Sequence, residues 1–359
     1  MVTAAQWSER ADAAEAAVLD RHLRRVWGIP GTALGVVGWP ARWSERSFLL
    51  WDYWWQAHLI DCAIDAAVRA PSPDRRERIA RIARGQWTRN LRRWTNDYND
   101  DMAWLALALE RAQRTQQLDF ARPIEQLTAR LYDAWAPEVG GGIAWRVWTD
   151  FYNAPANGPA GLALAHADRM ERAVQMADWI AATLCDRATG LVFDGIHLPS
   201  RRLERPIYSY CQGVVLGLEI ELAIRTGDER HRKRVRRLLD AVAEHLTRDH
   251  VIVGGGGHDG GLFNGILARY LASIATQLPD DSETAAVAGS IVLNSAAAAW
   301  HNRLDLGTGP LFGPDWSRPA RPPRRESRMP ERDLSVQLGG WMVVEAAFRV
   351  SNGVSSRPR

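Results

Sequence analysis

The segment YSYCQGVVLGLEIELAIRT (208–226) is apolar or small almost all round, whereas ERHRKRVRRLLDAVAEHL (229–246), two residues further on, carries charge over a wide face. A helix with one apolar stripe lies on the outside of a fold, and one that is apolar nearly all round is buried. The same contrast recurs upstream, where the Arg-rich stretch 74–93 precedes the nearly wholly apolar MAWLALALE (102–110). Periodicity predicts twelve helices, about 5–26, 46–70, 74–93, 99–117, 119–135, 156–168, 168–184, 208–226, 229–247, 261–277, 283–300 and 333–350, with little strand signal. Outer and inner helices alternating six times describe an all-α (α/α)6 toroid. A helical solenoid is the alternative, but it would show a fixed repeat and none is present.

Breakers fall between the helices: Pro71 and Pro73, Pro137 with Gly140 to Gly142, Thr189-Gly190, Thr226-Gly227-Asp228, and Gly254 to Gly257. The tract RPARPPRRESRMPERD (318–333) reads as a mobile Pro/Arg-rich loop, and nothing else resembles an interdomain linker. Residues 1–359 therefore read as one domain, large but closed.

Composition narrows the function. With 46% hydrophobic and 24% charged residues the chain should fold, and 45 basic residues nearly cancel 42 acidic ones to leave +3. That small imbalance predicts neither a nucleic-acid partner nor a membrane surface. Cys62, Cys185 and Cys211 are far apart, without metal-knuckle spacing, so reduced thiols are expected. The N-terminus carries Glu9, Asp12 and Glu15 where a secretory signal would be basic and then apolar, and no run approaches the ~20 apolar residues of a membrane span. A cytoplasmic protein is expected, extracellular only if a leader has been removed. Of 17 tryptophans, thirteen lie at or before Trp148. Core packing accounts for most of them, but the excess also suits a groove whose flat rings stack on sugars or bases.

In a toroid the inner helices run parallel, so their N-terminal ends converge on one mouth. At those ends stand NDYNDD (96–101), GGGIAWRVWTDFYNAP (140–155), Tyr208 with Tyr210 and Gln212, GGGGHDGGLF (254–263), and Asp333 with Ser335. Polar, aromatic and glycine-rich segments at one rim form a binding site. Adjacent Asp100 and Asp101 project about 100° apart on a helix and can face one cleft with their carboxyl groups several Å apart. Retaining glycosidases need ~5–5.5 Å between nucleophile and acid/base, and crowding raises one pKa as a general acid requires. Two other readings stay open: the pair as ordinary first-turn and capping residues, or a metal site, disfavoured because no metal-binding spacing occurs.

A set of motifs adds to this. YNDDMAWLALAL (98–109), WAPEVGGGIAWR (135–146), NAPANGPAGLALA (153–165), GLVFDGIH (190–197), YSYCQGVVLG (208–217) followed by RTGD, and HDGGLFNGILARYL (258–271) resemble, in that order, glycoside hydrolase family 76. That family contains bacterial endo-α-1,6-mannanases and fungal wall mannosidases or transglycosylases. The resemblance runs from about Trp54 to Phe348. It implies an (α/α)6 barrel that cleaves α-1,6-linked mannosides with retention, Asp100 as nucleophile, Asp101 as acid/base, and no metal or organic cofactor. Two departures stand out: Tyr210-Cys211-Gln212-Gly213 where the family has YNQG, and Phe263-Asn264-Gly265 where it has FKG.

Further substrate contacts are expected from Trp145 and Trp148 as sugar platforms, Asp194 on sugar hydroxyls, Asn153, Tyr210 and Gln212 in the cleft wall, and His258 and Asp259 on a glycine loop closing over the sugar. Trp104, one helical turn inside from Asp100, is expected to pack the core or to back the nucleophile. The expected partner is an α-mannoside oligosaccharide or polysaccharide, with the protein a monomer. Other (α/α)6 enzymes, of epimerase or lyase type, would bring catalytic His or Tyr to the rim without needing the aspartate pair. A non-catalytic binder would not need its carboxylates.

Overall fold

The structure, a computed structural model, describes residues 2–278, 281–325 and 328–355. Among them are thirteen α-helices: α1 (Ala4–His22), α2 (Trp43–Arg46), α3 (Tyr53–Arg69), α4 (Pro73–Arg89), α5 (Asn99–Gln116), α6 (Ala121–Asp133), α7 (Ala154–His166), α8 (Met170–Thr183), α9 (Ser209–Thr226), α10 (Glu229–His245), α11 (Gly260–Gln277), α12 (Ser282–His301) and α13 (Leu334–Ser355). α3, α5, α7, α9, α11 and α13 pack each on the next, and α13 returns to α3, so the inner ring closes. α4, α6, α8, α10, α12 and α1 form the outer ring. This is the (α/α)6 toroid that the alternating helix character predicts, with the single turn α2 added.

Local signals set most of the boundaries. Ser72 caps α4 by accepting from Arg75 N, with Pro73 in the first turn where its missing N–H costs nothing, and Asp228 caps α10 through Arg230 N. Gly227 (φ 69°) ends α9 in the left-handed conformation that favours glycine. Inner helices approach closely at small residues: a Cβ on Gly217 would run into the Tyr270 ring of α11.

The predicted helix 46–70 is a correction. Only Tyr53–Arg69 is helical within it, apart from the last residue of the short turn Trp43–Arg46. Phe48 adopts a left-handed backbone (φ 56°) and buries its ring with Val26, Leu34 and Val36, so tertiary burial overrides local helical propensity. Helix 5–26 likewise stops at His22, because Leu23–Arg24 pair antiparallel with Leu34–Gly35. Nine strands of two or three residues occur among the described residues, all in connections between helices, too short for alternation to announce them.

The tract 318–333 is anchored more than the mobile-loop reading supposes. Arg332 is buried and pairs with buried Glu45 at 2.9 Å, and Arg321 pairs with buried Glu331 at 3.1 Å. Residues 326–327 of that tract lie outside the described residues.

Two charge clusters knit the rings. Arg69 of α3, its side chain 1% exposed, reaches Glu345 of α13 (2.9 Å) and Asp12 of α1 (2.8 Å), with Glu15 at 3.8 Å. At the mouth where the inner helices end, Arg111 and Arg269 both bridge Asp61 and Asp65, and His166 lies between Glu110 (3.2 Å) and Glu221 (3.6 Å). Cations there complement the converging helix C-termini.

Candidate active site

At the opposite mouth, where the inner helices begin, a cavity of about 740 Å³ is walled by the segments the sequence placed on one rim. Its floor is the start of α5. Asp100 and Asp101 stand in the first turn, as the helix-start reading allows, but neither caps the helix: Tyr98 holds the N-cap position, without a side-chain capping bond. Asp100 Oδ2 accepts from Trp145 Nε1 (2.9 Å), while its Oδ1 is buried without a hydrogen-bond partner. Asp101 Oδ2 accepts from Asn96 Nδ2 (2.6 Å).

Burial dominates the ionisation of both. It pushes the Asp100 carboxyl up to about 7, against the pull of the first-turn N–H groups and the Trp145 indole. Burial, and then the neighbouring Asp100 charge, push Asp101 well above the ordinary carboxylate range. The pair therefore resists double ionisation, and of the two Asp101 is pushed up further, because the first-turn N–H groups and the Trp145 indole pull Asp100 back.

The walls are aromatic and acidic. Tyr210 stacks on Phe263 (centroids 4.1 Å, 13°), Trp54 lies 6.1 Å from Tyr210 and 6.5 Å from Trp104, and Trp145 meets Tyr98 edge-on at 5.2 Å. Asp259 Oδ1 accepts from the indoles of both Trp54 and Trp55 (2.9 Å each), fixing those rings across the cleft. Asp194 lines the wall with its carboxyl pushed up to about 6 by burial and by Glu204. Among the described residues six aspartates line the cavity (Asp52, Asp97, Asp100, Asp101, Asp194, Asp259), and no arginine, lysine or histidine does. Among the described residues no group of three or more His, Cys, Asp or Glu is arranged to hold a metal ion.

The structure brings Asp100, Asp101, Trp145, Asn153, Asp194, Tyr210 and Asp259 to this cavity. Asn153 also caps α7 through Ala156 N (3.1 Å). Trp104 is 4% exposed, as the core reading expects, yet it also faces the cavity.

Three expected contacts are elsewhere. Trp148 is 98% exposed with a left-handed backbone (φ 56°) and is not in the cavity wall; the turn after Arg146 points it to solvent. Gln212 is wholly buried, its amide spent on Val192 N and O (2.8 Å each) and Tyr208 O (3.0 Å), so it supports the segment that carries Asp194 without lining the cleft. The His258 ring faces Trp55 (6.2 Å), outside the wall, and the His258 backbone N–H donates to Asp333 Oδ2 (2.8 Å).

Both family departures are absorbed into packing. Cys211 is fully buried, and Asn264 accepts from Ser209 Oγ (2.7 Å) and donates to Gly254 O (3.0 Å), tying the glycine loop to α9.

Asp52 and Trp54, both in the wall, lie outside the rim segments drawn from the sequence, and Asn96, Tyr98, Tyr208 and Phe263 stood in those segments without being singled out as contacts. Asp52 was hidden by the boundary error. Buried in the middle of a supposed helix it looked unremarkable, whereas it precedes α3 with its carboxyl pushed up to about 6 by burial and then by Asp259. The cluster WDYWW (51–55) was the available signal.

With this geometry in place, comparison with known proteins gives a consistent result. A family model described as Glycosyl hydrolase family 76 matches residues 10–333. The α-1,6-mannanase of Salegentibacter sp. HEL1_6 is 28% identical with a TM-score of 0.83, over 95% of this chain and 98% of that one. An inactive variant of that enzyme, with two consecutive aspartates changed to asparagine and in complex with α-1,6-mannotriose, superposes at TM-score 0.83 and 28% identity, over 96% and 99% of the two chains. A Listeria innocua protein, 24% identical, shares the fold at TM-score 0.82 over 95% and 96%. No curated protein sequence matches significantly. The chain belongs to glycosyl hydrolase family 76 and is a glycosidase built on an (α/α)6 toroid.

Proposed function

We propose, taking that membership as the premise, that the protein cleaves α-1,6-linked mannosides by double displacement, with Asp100 as nucleophile and Asp101 as acid/base, the whole chain forming the one catalytic domain. The observation that carries this is the pair itself: two consecutive carboxyls in an aromatic cleft, of which Asp100 accepts from the Trp145 N–H, which favours its ionised form, and Asp101 is pushed up by burial and by its neighbour, which favours its protonated form. In the first step an Asp100 oxygen attacks the anomeric carbon while Asp101 passes its proton to the departing glycosidic oxygen, leaving a glycosyl ester on Asp100. In the second, Asp101, now a carboxylate, takes a proton from water as that water attacks the anomeric carbon and frees Asp100, so configuration is retained. The sugar specificity draws support from the Salegentibacter enzyme and from the α-1,6-mannotriose bound by its inactive double-aspartate variant. Stacked Tyr210 and Phe263, with Trp54, offer flat faces for pyranose rings, and Asp52 and Asp194 offer acceptors for hydroxyls.

The test is product analysis by NMR after incubation with α-1,6-mannooligosaccharides. Wild type should release α-configured products first, and Asp100→Asn should lose turnover while keeping the fold, since an amide cannot form the ester. Release of β-configured products, or full activity in Asp100→Asn, would overturn the assignment.

A further inference from the structure

The exposed apolar side chains are not spread evenly. Six of the ten large ones found among the described residues, Trp27, Ile29, Trp43, Leu49, Leu50 and Leu91, fall in two segments, 24–51 and 84–93. Contacts join these segments into one lip. The Trp27 indole donates to Ser47 O (2.9 Å), Arg89 Nε donates to Phe48 O (2.6 Å), and the Arg89 guanidinium lies 5.8 Å from the Trp27 ring and 4.8 Å from the Trp51 ring. Leu49 N and Leu50 N both donate to Ser44 O (3.0 and 3.1 Å), which sets them beside the Trp43–Arg46 turn. Beneath them Val26, Leu34, Val36 and Phe48 form a small core of their own.

The lip is also basic. Its two segments contain eight arginines and one acid, Glu45, which is buried and already paired with Arg332. A net charge of +3 over the whole chain conceals this concentration. Exposed patches of this kind mark interaction surfaces. A glycan-stacking surface would set flat rings among carboxylates and amides, as the cleft does. Here aliphatic Ile29, Leu49, Leu50 and Leu91 stand among guanidinium groups, the pairing that suits the boundary between acyl chains and anionic headgroups. The lip adjoins the cleft, because Trp51 and Asn90 line the cavity as well.

We propose that this lip docks the protein peripherally on an anionic lipid bilayer, with the cleft beside it open to a glycan standing on that surface. The docking is independent of the mannosidase reading; only the access of a surface glycan to the cleft rests on it. Among the described residues no helix is long and apolar enough to cross a membrane, so the contact is one of side chains inserted at the surface.

Co-sedimentation with vesicles of phosphatidylcholine, alone or mixed with phosphatidylglycerol, tests this with the full chain. Wild type should sediment with the mixed vesicles at low salt, release at high salt, and ignore the neutral ones. Each arginine removed should weaken partition about fivefold, so Arg92→Ser with Arg93→Ser should lose most binding. Leu49→Ser with Leu50→Ser should weaken it as well. Both variants should melt like wild type and turn over α-1,6-mannotriose at the wild-type rate, if that sugar is a substrate at all; the vesicle result stands whether or not it is. Failure of wild type to bind mixed vesicles at low salt, or undiminished binding in both variants, would overturn the proposal. So would retention on soluble mannan that depends on Trp27 and Trp43 in place of vesicle binding, which would make the lip a glycan platform.

Discussion

Trp145→Phe isolates the interaction that prepares the proposed nucleophile. The substitution keeps an aromatic ring against Tyr98 and removes the indole N–H that donates to Asp100 Oδ2 at 2.9 Å. A hydrogen bond to a charged group contributes about 1.5–3 kcal/mol. At about 1.4 kcal/mol per decade, kcat/KM should fall roughly 10- to 150-fold. The same loss must appear in the ionisation of Asp100, which sits near 7 with that N–H in place and which the bond pulls down. A group required as carboxylate gives activity that rises with pH through its pKa, so removing the bond should move the acidic limb of kcat/KM about one to two units toward alkaline pH. The assay is a pH profile of mannooligosaccharide cleavage for both proteins. A tenfold fall in kcat/KM with the acidic limb unmoved would refute the reasoning and make Trp145 a sugar platform only. Unchanged kinetics would show that the bond contributes nothing.

Two further perturbations probe the scaffold. Arg69→Met leaves the buried Glu345 without its cation, while Glu15 keeps Arg75 (2.5 Å) and Arg78 (2.7 Å); stranding a buried partner costs ~3–5 kcal/mol, and because burial already holds Glu345 near 7, which lets it neutralise, the lower end is expected in urea unfolding. A loss under about 1 kcal/mol would show that the pairs only offset their own desolvation. Stability should also fall with rising pH between about 6.5 and 9: burial alone would lower the His166 pKa, but Glu110 and Glu221 carry it up to about 9. A group whose folded pKa is raised stabilises fully below its unfolded value and loses that contribution as pH passes the folded one, here about 2–3 kcal/mol. Urea midpoints across that range should slope downward for wild type and less steeply for His166→Gln, the rest of the slope coming from the raised carboxyls Asp100, Asp101 and Glu345, and parallel slopes would remove His166 from the account.

Several features were decided by the sequence alone, and they are those whose cause is local. The contrast between 208–226 and 229–246 is a statement about which faces must leave water, and it holds whatever the neighbours are, so ring and counter-ring were legible. Adjacency in the chain likewise ensured that Asp100 and Asp101 share a helix turn, and the ordered motifs from Tyr98 to Leu271 pointed to the family.

Tertiary structure decided what depends on partners distant in sequence. Phe48 leaves the helical pattern because Val26, Leu34 and Val36 bury it, and that shift exposes Asp52 to the cleft. Asp259 belongs to the wall because Trp54 and Trp55 donate to it across 205 and 204 residues, whereas Gln212, equally polar and equally close to a helix start, spends its amide on Val192 and points inward. Trp145 and Trp148 are three residues apart, yet one donates to Asp100 and the other is in solvent, a difference set by the backbone turn between them. The basic lip exists only because two segments, 24–51 and 84–93, fold onto one another beside the cleft. Burial, hydrogen-bond partners and the field of neighbouring charges are properties of the assembled ring, and it is these that raise both first-turn aspartates and set Asp101 above Asp100.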